Sequence, residues 1–208
     1  MTLQRLQFRA VQGALKTFRY IAVRTNYKRH GYAGQIQRVR DLSDSQFVKA
    51  AEMHVAAVNK GIQGIPRERV RLHCCWGNWD GPHIHDVPLN LILPVLYQAN
   101  VGALSIEFAN PRHQHEHQAL RRHPLPHHMS LLPGVIDTTT NIVEHPEVVA
   151  RRIEEALSVV GDRERVIAGT DCGFGTFTGR EWVIEPAVWL KLKSLREGAD
   201  LASQRLWR

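Results

Sequence analysis

The segment Arg71-Leu72-His73-Cys74-Cys75-Trp76-Gly77-Asn78 joins an extended run to a set of side chains suited to binding a metal. Val70–Cys75 reads as a β-strand, and strand alternation sends His73 and Cys75 to one face and Cys74 to the other. Two more strand-like runs lead to residues of matching chemistry. Ala103–Phe108 contains Glu107, and Cys172 follows Val166–Thr170. One imidazole, one carboxylate and two thiolates make a zinc-type donor set, because soft sulfur favours zinc over magnesium or calcium. With its ligands on separate strands, such a site belongs to a folded sheet rather than to a local finger.

Working outward, the pattern is regular from Asp41 onward. Ser43-Asp44-Ser45-Gln46 fits a capping box, and Phe47, Ala51, Val55 and Val58 follow at helical spacing to about Ile62. Asp86-Val87-Pro88 starts a second helix over Leu89–Tyr97, with Pro94 as a kink site. After Ala103–Phe108 come a His-rich connection and the strand Ser130–Ile136. Glu144-His145-Pro146 opens a helix bearing Val149, Ile153, Ala156 and Val160, and Pro186 starts a closing helix to about Trp207. Helix, then strand–helix four times, predicts an α/β protein with a parallel sheet and right-handed crossovers. The ligand-type residues lie at strand C-terminal ends, where barrels and open parallel sheets carry their sites. Four strands cannot close an eight-stranded barrel, so the pattern fits either a small open sheet or about half of a barrel.

Composition narrows the class. A chain of 208 residues with 43% hydrophobic content can build one globular core. No apolar run reaches the length of a membrane span. Three cysteines are too few for a disulfide scaffold and suit a reducing compartment, so a cytoplasmic protein is expected. The net charge of +7 is uneven. Residues 1–40 hold nine Lys/Arg and no Asp or Glu, which leaves 18 basic against 20 acidic residues in 41–208. We therefore set residues 1–40 apart as a basic leader, read as a transit peptide, a basic arm or a stretch unmatched to the domain behind it. The last reading is favoured, since the stretch has no clear period and Gly13, Gly31 and Gly34 interrupt it. A charged tail is not a folded basic face, so no nucleic-acid partner is expected.

Ordered motifs across residues 41–208 resemble the C-terminal catalytic domain of cobalamin-independent methionine synthase and its relatives, above all the epoxyalkane–coenzyme M transferase-like branch. They are His73-Cys74-Cys75-Trp76-Gly77, Gly81-Pro82-His83, Asp86-Val87-Pro88-Leu89 and Glu107-Phe108-Ala109-Asn110-Pro111-Arg112-His113, continuing through Pro133-Gly134-Val135-Ile136-Asp137, Val143-Glu144-His145-Pro146-Glu147 and Gly169-Thr170-Asp171-Cys172-Gly173. The resemblance implies the C-terminal half, about four βα units, of a (β/α)8 TIM-type barrel of the methionine synthase/uroporphyrinogen decarboxylase type. It implies zinc held by His73, Cys75, Glu107 and Cys172, and a substrate thiol that attacks a methyl or alkyl donor. A carboxylate such as Glu107 is the natural ligand to yield when a thiol arrives. The family's synthases carry a proton-transferring histidine in the loop matching Asp137-Thr138-Thr139-Thr140; Thr139 stands there in this chain, which suits the non-synthase branch. The implied partners are small molecules, together with a second copy of the chain or a partner half-barrel to complete the sheet. The competing expectation is a non-catalytic remnant that at most binds zinc.

The remaining candidates follow from position. Glu107, Asp137 and Asp171 form the catalytic set. Asp171 reads equally as hydrogen-bond support for the ligands or as a turn residue, and Asp137 as a substrate-orienting group or a helix cap. Trp76, Asn78 and His113 are the substrate-binding candidates. Cys74 should pack as a small hydrophobe. Among the histidines from His113 to His128, irregular spacing and Pro124 and Pro126 favour a solvated loop, His113 excepted.

Overall fold

The computed structural model describes residues 21–26, 42–84, 86–176, 179 and 182–207. Five strands, β1 (Ile21–Asn26), β2 (Val70–Cys75), β3 (Ala103–Ile106), β4 (Ser130–Ile136) and β5 (Gly169–Thr170), form one sheet in the order β1-β2-β3-β4-β5. Every pairing is parallel. Helices α1 (Asp44–Gly61), α2 (Leu89–Leu96), α3 (Ala119–Arg122) and α4 (Pro146–Val160) fill the four crossovers in turn, and α5 (Glu185–Leu206) follows β5. Sequential strand order with crossovers of one hand puts all helices on the same side of the sheet. That is the winding of a barrel wall, not of a doubly wound sheet.

The helix side is dry. Val70, Leu72 and Cys74 of β2, Leu104 and Ile106 of β3 and Leu131 of β4 share one buried cluster with Phe47, Ala51 and Val55 of α1 and Leu89, Ile92, Leu93, Val95 and Leu96 of α2. Each fully buried aliphatic side chain there contributes about 1.5–3 kcal/mol. A second cluster joins Val135 and Ile136 to Val149, Ala150 and Ile153 of α4 and Ala202 of α5. Gly198 lets α5 close on α4, since a Cβ at that position would lie 2.4 Å from Val149 Cβ.

Local signals explain the element ends. The Ser43 hydroxyl accepts from the Gln46 N–H, and the Gln46 side chain accepts from the Ser43 N–H, completing the capping box of α1. His145 caps α4 through Nδ1, which accepts from Glu147 N–H, with Pro146 at the first turn. Pro94 is accommodated inside α2.

Two boundaries differ from expectation. β1 lies within the segment set apart as a leader and pairs with the whole of β2, from Ile21↔Val70 to Asn26↔Cys75. Ile21, Val23 and Thr25 are alternating β-branched residues, a strand signal diluted by the basic residues around them. The other residues of 1–40, and the readings given to them, lie outside the described residues. The strand expected over Val166–Thr170 pairs as β5 only at Gly169 and Thr170, with a single bridge from Val166 to Leu131 and a register shift between Gly134 and Ile136. Among the described residues no helix is long and apolar enough to cross a membrane.

Candidate metal centre and adjoining cavity

The C-terminal ends of β2, β3 and β5 bring the expected ligand residues together. Cys74 is fully buried in the helix-side cluster, so alternation turns His73 and Cys75 to the opposite, concave side. The metal-binding atoms of His73, Cys75 and Cys172 all lie within 4.8 Å of one another. His73 Nε2 is 3.3 Å from Cys172 Sγ, and Cys172 Sγ is 3.0 Å from Glu107 Oε1. Ligand atoms of a tetrahedral zinc site, at ~2.0–2.3 Å from the ion, stand roughly 3–4 Å apart, so modest adjustment accommodates one ion.

Electrostatics point the same way. Burial, with the neighbouring Asp171 and Cys75 charges, raises the Glu107 carboxyl well above its ordinary range. Hydrogen bonding with Cys75, then burial and the Glu107 charge, push the Cys172 thiol far up. A buried cation would reverse these penalties, because each acid would ionise against it. The donor set therefore fits a metal.

Residues around the centre hold it in shape. His73 Nδ1 meets Ser105 Oγ at 3.1 Å, which directs Nε2 towards Cys172. Asp171 is the principal tie. Its Oδ1 accepts from Phe108 and Ala109 N–H at 3.0 and 2.9 Å, and its Oδ2 accepts from Asn110 N–H and Nδ2 at 2.9 and 3.1 Å. This clamps the chain after Glu107 to the residue before Cys172. Burial lifts the Asp171 carboxyl to about 6 despite those donors.

A cavity of about 540 Å³ opens beside the centre, lined by Asn78, His83, Glu107, Asp137, Thr139 and Arg152 among others. A smaller one of about 200 Å³ reaches His73, Ser105 and Cys172 directly. Asp137 lines the larger cavity, but its carboxylate is used within its own loop. Oδ1 accepts from Thr139 N–H and Oγ1, and Oδ2 from Thr140 Oγ1. Asn78 also lines it and ties three loops together, donating from Nδ2 to Gly173 O and Thr176 Oγ1 and accepting from Thr138 Oγ1.

Trp76 and His113 do not line either cavity. Trp76 is fully buried, its Nε1 donates to Val87 O at 2.6 Å, and its ring stacks on His113 at 4.0 Å. Following Cys75 on the strand, it takes the face opposite the ligands, so both rings back the wall instead of facing the space.

Against this geometry, a family profile described as "Cobalamin-independent synthase, Catalytic domain" matches residues 47–196. The chain belongs to this cobalamin-independent synthase catalytic-domain family. It is 28% identical over 144 residues to the 2-hydroxypropyl-CoM lyase of Xanthobacter autotrophicus (strain ATCC BAA-1158 / Py2), a match covering 57% of this chain and 38% of the lyase. Its fold superposes with a TM-score of 0.61 and 18% identity on a B12-independent methionine synthase from Shewanella sp. W3-18-1, solved in complex with selenomethionine; that match covers 97% of this chain and 53% of the synthase. The chain thus spans less than two thirds of either relative, and its α/β fold is that of part of a synthase-type barrel.

In this family member, several residues that sequence reasoning passed over shape the cavity. Lys191 is fully buried on α5 and donates to Asp137 O, Ile142 O and Glu144 Oε2. Glu144 Oε1 accepts from Asp137 N–H, so this pair fixes the loop after β4. Arg152 of α4 donates to Val135 O and Ala109 O, joining the end of β4 to the loop after β3. A charged residue in a helical pattern reads as solvent-facing, which hid both cations. A lone Pro or Gly would have been easier to notice.

Proposed function

We propose that this chain carries a thiol-activating zinc site and belongs to the enzymes that transfer a methyl or alkyl group to a substrate thiol. The observation that carries this reading is the convergence of His73, Cys75 and Cys172, with Glu107 in contact, at the C-terminal ends of β2, β3 and β5 beside a 540 Å³ cavity. Zinc held by these four residues would supply Lewis acidity, keeping a substrate thiol deprotonated at neutral pH while its sulfur stays nucleophilic. Every other contribution belongs to the chain. His73 is oriented by Ser105, and Asp171 keeps Glu107 and Cys172 at a fixed separation. Glu107, an oxygen donor among sulfurs, is the ligand best suited to give way to an incoming thiol.

The cavity wall from Asp137 to Thr140 and the Arg152 side chain would position the electrophile. Hydroxyls and a guanidinium suit an oxygen-bearing donor, whether a methylated pterin or an epoxide. A reducing, cytoplasmic setting would keep Cys75 and Cys172 out of disulfides and able to bind metal. The test is alkylation of a panel of small thiols by methyl-folate and by short epoxides, with zinc-loaded and chelated protein. We expect turnover that requires zinc and is lost in Cys172→Ser. Equal rates with and without zinc would defeat the proposal.

A further inference from the structure

A second group of metal-type side chains reaches from the cavity rim into the wall, where His83, Asp86 and His113 bring their ligand atoms within 4.8 Å of one another. His83 Nδ1 and His113 Nε2 converge on the same oxygen, Asp86 Oδ2, at 2.6 and 2.9 Å. The remote nitrogen of each ring faces an acceptor. His83 Nε2 is 3.1 Å from Trp79 O, and His113 Nδ1 is 2.8 Å from Glu116 Oε2. A carbonyl or carboxylate can only accept, so both remote nitrogens carry their protons and the converging nitrogens are the ones left to bind something. This is the arrangement that orients ligating imidazoles in metal sites, with the outer N–H tied to a carboxylate or a main-chain carbonyl.

The outer partners are themselves fixed. Glu116 Oε1 accepts from Leu89 N–H at 2.8 Å, and the His113 ring is stacked on Trp76 with 14° between planes. An independent observation concerns the carboxylate: the Asp86 side chain is only 2% exposed, yet its Oδ1 has no hydrogen-bond partner among the described residues. A buried carboxylate oxygen without a donor costs about 1–3 kcal/mol or more, and a cation shared by both oxygens would remove that cost. A divalent cation held there would face the Asp86 carboxylate, with the Glu116 carboxylate one imidazole away.

We propose that His83, Asp86 and His113 form a second cation site, separate from the thiolate centre, that takes a first-row divalent metal. Two nitrogens and one carboxylate with no sulfur suit zinc, iron(II), manganese or cobalt rather than a thiophilic ion. His83 also lines the 540 Å³ cavity that Glu107 lines, so the site has an entry path and room for a further oxygen ligand.

The experiment titrates the chelated full chain with cobalt(II) and measures bound metal after gel filtration. It also follows the thiolate-to-cobalt charge-transfer band, which reports the cysteine centre alone. We expect two equivalents in the unaltered protein. Asp86→Asn and His83→Gln should each lose one equivalent with the band intact, whereas Cys75→Ser/Cys172→Ser should lose the band and keep the other equivalent. The two centres are thereby scored separately, and loss of the thiolate reading would leave this one standing. His83 is at the cavity rim, so His83→Gln serves if Asp86→Asn does not fold. A single, thiolate-bound equivalent in the unaltered protein, or two equivalents retained in the His83 variant, would show a proton-sharing network and overturn the proposal.

Discussion

At the scale of single residues, the centre depends on a carboxylate packed against a glycine. Asp171 Oδ1 would lie 2.0 Å from a Cβ built on Gly134, and the Asp171 backbone 2.7–2.9 Å from it. No rotamer change can relieve contacts with main-chain atoms, so Gly134→Ala must move β4 away from β5. Asp171→Asn tests the other half of the contact. One amide N–H2 would then face N–H donors from the 108–110 chain, leaving donors unsatisfied at about 1–3 kcal/mol each. Both variants should unfold at lower denaturant concentration, and both should bind metal more weakly because Glu107 and Cys172 lose their common anchor. Tight metal binding in a destabilised Asp171→Asn protein would show that Asp171 holds the fold without positioning the ligands.

At the scale of elements, α5 acts on the cavity from behind. The buried Lys191 ammonium holds two carbonyls and the Glu144 carboxylate, which is itself only 9% exposed. Lys191→Met keeps the bulk but strands that carboxylate with Arg152 at 3.9 Å as its nearest ion-pair partner. Removing one member of a buried pair costs roughly 3–5 kcal/mol, measurable by urea unfolding. A loss under about 1 kcal/mol would mean that water reaches Glu144 and that the loop is not pinned from α5. Most elements were legible because their signals are local: the Ser43 capping box, Pro146 at a first turn, and alternation in Val70–Cys75. The proximity of His73, Cys75, Glu107 and Cys172 could be anticipated because each lies in the last half of a strand or just beyond one. Lys191 and the Asp86–His113 contact were not, because their meaning lies in partners 27–54 residues away rather than in any period. Trp76 is next to Cys75 in sequence, yet its ring packs with His113 on the other side, because successive residues of an extended chain take opposite faces.

At the scale of the whole molecule, the sheet is one arc of a barrel wall with the His73, Cys75 and Cys172 cluster on one side and its helices on the other. β1 covers the β2 edge along six paired positions. A chain beginning at residue 41 would expose that edge, next to the strand that carries His73 and Cys75. We expect such a truncation to lower the unfolding temperature and promote association; an unchanged unfolding profile would show that β1 adds nothing to the sheet. The central claim is that strands β2, β3 and β5 converge on one thiolate metal centre. Its most direct test is the thiolate-to-cobalt charge-transfer band in three cobalt-loaded proteins: the unaltered chain, Cys74→Ser, and the double variant Cys75→Ser/Cys172→Ser. The band should be equal in the first two, since Cys74 packs against the helices, and absent in the third. A band that survives the double substitution, or one that disappears with Cys74, would contradict the account.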